Sequence, residues 1–215
     1  VYKTITTGDG GMLVTNSNEC YEQAFAMHDQ GHKPKGSMLE IREPSILGLN
    51  FRINELTGAV ALAQLRKLDK ITSSLRAKKA RLKQGIGRIK GARYRQLNDP
   101  AGECGTLLTI IFDDASRASR VAESLGTVTV DRTGWHVYAN MDHVNRHLKG
   151  IGQPYGKGAY PRSDDILGRA INLSVGVVDA GLGSAFGINP NSTVDEIDQV
   201  AEQFREACKS VTGNR

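Results

Sequence analysis

Val1-Tyr2-Lys3-Thr4-Ile5-Thr6-Thr7-Gly8-Asp9-Gly10-Gly11-Met12-Leu13-Val14-Thr15-Asn16 opens the chain and decides how the rest is read. A lysine stands at the mouth of a Thr-rich extended stretch. Gly8–Gly11 then reverses the chain into a second apolar stretch, Met12–Val14, so the run reads as a strand hairpin. Lysine forms a Schiff base with an aldehyde when its surroundings depress its pKa and fix its position. Lys3 is therefore the first candidate catalytic residue. The same run also fits an ordinary hairpin carrying a solvated lysine, and a second motif downstream decides between the two.

That second motif is Leu47-Gly48-Leu49-Asn50-Phe51-Arg52-Ile53-Asn54-Glu55-Leu56, running on through Thr57–Asp69. In an extended stretch Asn50 and Arg52 point to the same side. Arg52 suits an anionic substrate or, equally, an interface salt bridge. The opening run resembles the cofactor-lysine segment of the DegT/StrS-type sugar aminotransferases. The second run resembles that family's Gly-x-Asn-x-Arg-x-x-Glu-Leu segment, with its small-residue helix and Gln-Leu-x-Lys-Leu behind it.

The resemblance implies that Lys3 carries pyridoxal 5'-phosphate. It implies that Asn50 reaches across a dimer interface to the cofactor phosphate of the neighbouring subunit. It also implies an α/β fold, the C-terminal part of an aspartate-aminotransferase-like (fold type I) transferase. On that reading residues 1–65 are the remainder of the large cofactor-binding domain, 66–90 a connecting helix and 91–215 a small α/β domain.

Periodicity supplies the elements. Leu68, Ile71, Leu75, Leu82, Ile86 and Ile89 form one helical stripe. Ala59, Ala61 and Ala63 allow close packing upstream of it. Gly85 and Gly87 each weaken the far end by roughly 1 kcal/mol relative to Ala. The pattern predicts one long helix from about Asn54, fraying or kinking near Gly85. Beyond Lys90, strands are predicted at Leu107–Phe112, Thr127–Val130 and Arg169–Val175. A helix is predicted over Ala115–Leu125, capped by Asp113 or Asp114 and ended by Gly126. A last helix starts at a capping box, Ser192 with Asp195 or Thr193 with Glu196, and presents Ile197, Val200, Phe204, Cys208 and Val211.

Composition excludes several classes. The 215 residues, 39% of them hydrophobic, suffice for one substantial core. No run is long enough to span a membrane and no secretory pattern is present. Cys20, Cys104 and Cys208 are odd in number and far apart, which suggests a reducing, cytoplasmic setting and buried or half-buried thiols. The chain opens on Val, so the start of the gene product is expected upstream. Residues 66–90 hold ten Lys or Arg against Asp69 alone, a local +9 in a chain of net +5, so the remainder carries −4. One basic helix without interleaved aromatics does not make a nucleic-acid binder. It reads as a solvated face, or as an anion-attracting wall.

Residues 17–40 read as a short helix and a loop, with Ala24, Phe25 and Met27 as buried candidates and Lys33–Pro44 as loop. His28-Asp29-Gln30-Gly31-His32 invites a metal, but Gly31 breaks the helix that would align the histidines and no third ligand is evident, so no metal is expected. The family resemblance places a polar His-Gly loop here instead. Gly134–Met141 holds Trp135, His136 and Tyr138. The resemblance offers His136 and Tyr138 as substrate contacts, while Trp135 and Tyr138 also suit core or interface anchors. Gly181–Ser184 reads as a loop.

The activity so implied is transamination. An amino acid, glutamate above all, gives its nitrogen to a keto-sugar or keto-sugar acid, either nucleotide-linked or an eight-carbon sugar acid. This is a step of amino sugar biosynthesis. The resemblance covers only the C-terminal half of the family pattern. The acid that pairs with the pyridine nitrogen, the residue stacked on the ring and most phosphate donors are expected upstream of Lys3, in a longer enzyme or on a separate chain. A homodimer is implied. The competing expectation is a non-catalytic remnant or interaction subunit that keeps the dimer-forming half of the fold.

Overall fold

Leu107–Phe112 is the central strand of an antiparallel sheet in the computed structural model, which describes residues 3–32, 46–134, 136–177 and 179–211. By its internal contacts the chain divides into two units, Ile5–Lys67 and Leu68–Arg215, with Lys3 and Thr4 grouped with the second.

In the second unit β1 (Ala92–Tyr94), β2 (Leu107–Phe112) and β3 (Ala170–Ser174) lie in that order, both pairs antiparallel. Ile110 faces Ile171 and Leu108 faces Leu173 across the β2–β3 ladder. With Phe112 they present one apolar face. Three helices complete that core: Leu75, Leu82 and Ile86 of α3 (Leu68–Ile86), Ala118 and Val121 of α4 (Ala115–Ser124), and Ile197, Ala201 and Phe204 of α7 (Val194–Ser210). Each fully buried Ile, Leu or Phe contributes about 1.5–3 kcal/mol. Asp114 caps α4 by accepting from the Arg117 amide at 2.6 Å, and Gly126 leaves it at φ +66°. Thr193 and Glu196 make the reciprocal capping box at the start of α7.

Several features differ from the sequence reading. Thr127–Val130 is not a strand. The Thr127 hydroxyl donates to the Gly183 carbonyl and the Thr129 hydroxyl to Asp131, so side chains tie this buried segment down. The chain then makes a short 3-10 turn, Val130–Arg132. Helices α5 (Asp142–Gly150) and α6 (Pro161–Gly168) appear where periodicity predicts none. They bury no residue fully, and the stripe of α5 is the single half-buried pair Val144 and Leu148. Cys208 is buried, and burial pushes its thiol up to about 11, but Cys20 and Cys104 are exposed.

The first unit holds α1 (Asn18–His28) and α2 (Glu55–Leu65), capped by Ser17 and Asn54 side chains. The predicted hairpin strands are absent among residues 3–16. Gly8 and Gly10 take φ of +91° and +144°, but Met12, Leu13 and Val14 stay unpaired and exposed. Two strands alone are marginal in water, and no third strand pairs with them among the described residues. In α1, Ala26 is the buried residue, whereas Met27 is exposed.

The long helix from Asn54 is two helices. Arg66 and Lys67 form a turn, with the Lys67 amide donating to Gln64 at 3.0 Å, so α2 ends at Leu65 and α3 starts at Leu68. Nor does Gly85 kink α3. It is helical because α7 passes there, and a Cβ at 85 would stand 2.8 Å from the Ala201 Cβ. The helix ends at Ile86, before Gly87 at φ +68°. The expected loop Lys33–Pro44 and the anchoring role of Trp135 fall outside the described residues. No described helix is long and apolar enough to cross a membrane.

Gly85→Ala therefore has the opposite sign to helix propensity. Propensity alone gives about 1 kcal/mol of stabilisation, while overpacking at α7 costs about 1–3 kcal/mol. A net loss of about 1 kcal/mol is expected by denaturant unfolding. A gain would mean that α3 and α7 do not touch at this point.

Candidate active site

In the first unit the end of α1 meets the segment after Leu47. The Leu49 amide donates to Met27, the Gln30 amide to Leu49 and the Phe51 amide to His28, at 2.8–3.0 Å. Asp29 and Asn50 form an antiparallel bridge. Gln30 at φ +57° and Gly31 at φ +88° turn the chain out of α1. The approach is close: a Cβ on Gly48 would lie 2.3 Å from both the Ala26 carbonyl oxygen and the Gly31 nitrogen. The two polar motifs of the sequence are thus zipped together by backbone.

This zipper sorts the extended segment by side. Asn50 and Arg52 fall on one side, where the Asn50 Oδ1 accepts from the Arg52 amide at 3.3 Å and from its Nε at 3.2 Å. The Asn50 amide nitrogen donates to no described residue. The Arg52 Nε also lies 3.2 Å from the Asp29 Oδ1. It is aimed at Asn50, however, and that buried carboxylate oxygen accepts no hydrogen bond among the described residues. Charge therefore holds Asp29 to Arg52. Leu47, Leu49, Phe51 and Ile53 alternate with these residues and are all exposed.

His28 and His32 do not converge on a metal. The His28 Nδ1 donates to the Phe25 carbonyl at 2.7 Å, and the His32 Nδ1 lies 3.7 Å from the Asp29 Oδ2. No three metal-ligating side chains cluster among the described residues. Asp29 is the member of this group that sequence reasoning missed. Nothing local in His28–His32 signals a pairing with an arginine in a separate motif.

Lys3, grouped with the second unit, is exposed in irregular backbone. Also in the second unit, the His136 Nε2 stands 3.5 Å from the Asp179 Oδ2. The Tyr138 hydroxyl donates to the Asp164 Oδ1 at 3.1 Å, and the Gly158 amide donates to the other Asp164 oxygen at 2.6 Å. The Tyr160 ring meets Tyr138 edge-on at 5.2 Å between centroids. Desolvation, then the Asp164 hydrogen bond and charge, raise the Tyr138 pKa above its ordinary value, so the phenol stays protonated and remains a donor. Asp164, also missed, fixes the loop at Gly158 and the Tyr138 ring together. Pro161 at the first turn of α6 was the readable signal for the helix that carries it.

The donor set of the first unit fits a phosphate: an amide NH₂ with no described partner, and a half-exposed guanidinium whose outer nitrogens are in no ion pair among the described residues. The fold has a counterpart among solved structures. The aminotransferase TlmJ of Streptoalloteichus hindustanus has a TM-score of 0.63 at 21% identity, covering 98% of this chain and 50% of that one. The fold is thus an α/β, fold type I fragment.

The chain matches the DegT/DnrJ/EryC1/StrS aminotransferase family over residues 1–178 and belongs to it. It is 35% identical over 74 residues to the GDP-perosamine synthase of Escherichia coli O157:H7, covering 34% of this chain and 19% of that protein. It is 42% identical over 65 residues to the UDP-4-amino-4,6-dideoxy-N-acetyl-beta-L-altrosamine transaminase of Helicobacter pylori, covering 30% of this chain and 17% of that one. The chain spans about half the length of the solved relative, and its matches span about a fifth of the curated ones.

Gly48→Ala separates the zipper from the rest of the fold. Its Cβ cannot share space with the Ala26 carbonyl, so a local loss of about 3 kcal/mol is expected. Hydrogen exchange should show the Leu49 and Phe51 amides losing protection while the β2 and β3 amides keep theirs. Unchanged protection at Leu49 and Phe51 would contradict the close approach.

Proposed function

We propose that this chain is the C-terminal part of a pyridoxal-phosphate-dependent enzyme that transfers an amino group, from glutamate, to a nucleotide-linked keto-sugar. The observation that carries the reading is the family match over residues 1–178, which takes in Lys3 and the Asn50 segment together. The names of two relatives, one a GDP-sugar synthase and one a UDP-sugar transaminase, favour a nucleotide-linked substrate over an eight-carbon sugar acid. Residues 1–65 then close the large domain, 66–90 connect, and 91–215 form the small domain.

Pyridoxal phosphate, when bound, supplies the electron sink. The chain supplies the rest. Lys3 is the attachment point and, once released, its amine takes and returns the proton at the nitrogen-bearing carbon of the substrate. The Asn50 amide donates to a phosphate oxygen, with its orientation set by the two Arg52 donors on its Oδ1. Arg52 adds positive charge for an anionic group. His136 and Tyr138 face the sugar, and Asp164 holds the phenol in place.

The exposed strip Leu47, Leu49, Phe51 and Ile53, with Leu56, Val60, Leu62 and Leu65 of α2, supports an assembly in which other protein covers this unit. The natural cover is the remainder of the large domain and the second subunit of a homodimer. A helix as apolar as α2 with no buried residue is made to be packed on.

Borohydride reduction of the cofactor-loaded enzyme, followed by peptide mass spectrometry, should place the adduct on Lys3. Lys3→Ala should abolish transamination. An adduct on another lysine would refute the assignment. Asn50→Ala removes one hydrogen bond to a charged group, about 1.5–3 kcal/mol, so cofactor affinity should fall about tenfold or more with the unfolding midpoint little changed.

A further inference from the structure

The basic helix α3 does more than face solvent. Arg76, Lys79 and Lys83 recur at intervals of three and four, so they stack along one side. That side forms the wall of a cavity of about 340 Å³. Arg95, next to β1, brings a fourth cation to it, and Glu103 is its one carboxylate among the described lining residues. Glu103 is already committed, since the buried Lys79 ammonium donates to its Oε2. Among the described residues Arg76, Lys83 and Arg95 have no carboxylate partner.

Arg76 and Lys83 are held through their side chains, and Arg95 is placed by its backbone. The Arg76 Nε donates to the Glu103 carbonyl at 2.5 Å, which fixes the guanidinium and leaves its outer nitrogens free to donate. The Lys83 ammonium sits 4.9 Å from the centre of the Tyr94 ring. That ring is anchored by its hydroxyl, which donates to the Gly87 carbonyl at 2.7 Å. The Arg95 amide donates to the Thr109 carbonyl at 2.9 Å, so its backbone extends the sheet. Between the cations the lining is apolar, with Leu97, Pro100 and Leu108. The volume is at the small end of ligand pockets.

We propose that this cavity binds a small organic phosphate, with the phosphate between Arg76, Lys83 and Arg95 and an apolar body against Leu97, Pro100 and Leu108. Three cations lining one cavity without a described carboxylate partner suit a ligand with more than one negative charge. Guanidinium forks match phosphate oxygens two at a time. The pocket lies wholly within the second unit and is distinct from the Asn50 segment of the first. The proposal does not rest on the aminotransferase reading.

Phenyl phosphate tests it, titrated into the full chain with binding followed by calorimetry and by shifts of the Thr109 and Leu108 amides. It should bind at least fivefold more tightly than inorganic phosphate, and phenol should not bind. Lys83→Gln and Arg95→Gln should each weaken it at least fivefold. Lys83→Arg should retain it, which separates loss of charge from loss of fold. Arg120→Gln, at an exposed cation on α4, should leave it unchanged. Equal affinity for inorganic and phenyl phosphate would reduce the cavity to a plain anion site and overturn the proposal. So would indifference to Lys83→Gln and Arg95→Gln, or an effect of Arg120→Gln as large as theirs.

Discussion

At Gly48 the chain passes so close to the end of α1 that a Cβ would stand 2.3 Å from the Ala26 carbonyl oxygen and the Gly31 nitrogen. Everything the first unit offers to a ligand depends on that approach. It lets the Leu49 and Phe51 amides pair with Met27 and His28, which fixes the register of the segment. Register in turn decides sides: a slip of one residue would exchange Asn50 and Arg52 with the apolar set. Asp29, brought alongside by the bridge to Asn50, balances the Arg52 charge without taking its outer nitrogens. Backbone geometry therefore orients an amide and a guanidinium before any ligand arrives, which lowers the cost of ordering them on binding.

The two units are built on different terms. The second closes its own core: Ile110, Phe112, Ile171, Leu173 and Phe204 are fully buried. The first buries Ala26 and leaves Leu47, Leu56 and Val14 at 93%, 80% and 87% exposure. Such surface is costly in water at roughly 25 cal/mol per Å². Within the second unit the Tyr138 hydroxyl is held by a hydrogen bond to Asp164, and His136 lies 3.5 Å from the Asp179 carboxylate.

What was legible in the sequence was what periodicity and capping chemistry encode locally. The stripe of α3, the apolar run of β2 and the Thr193–Glu196 box each specify an element from within. Strand β1 is three residues long and paired only through β2, so Ala92–Tyr94 carried no pattern of its own. Met12–Val14 carried a strand pattern but has no described neighbour to pair with. Gly85 read as a weakness because its purpose lies 116 positions on, at Ala201 in α7. Asn50 and Arg52 were visible by motif and by the two-residue repeat of an extended chain. Asp29 was not, because its ion pair spans two motifs that only the folded backbone brings together.

The central proposal is that these residues supply an attachment lysine in the second unit and an oriented phosphate donor in the first, and that other protein covers the apolar surface of the first unit. Titrating pyridoxal phosphate into residues 1–215 alone, by absorbance and with a dye that reports exposed apolar surface, tests it most directly. The account predicts weak, non-saturating cofactor binding and strong dye binding. Tight stoichiometric binding with transaminase turnover, and no dye signal, would contradict it.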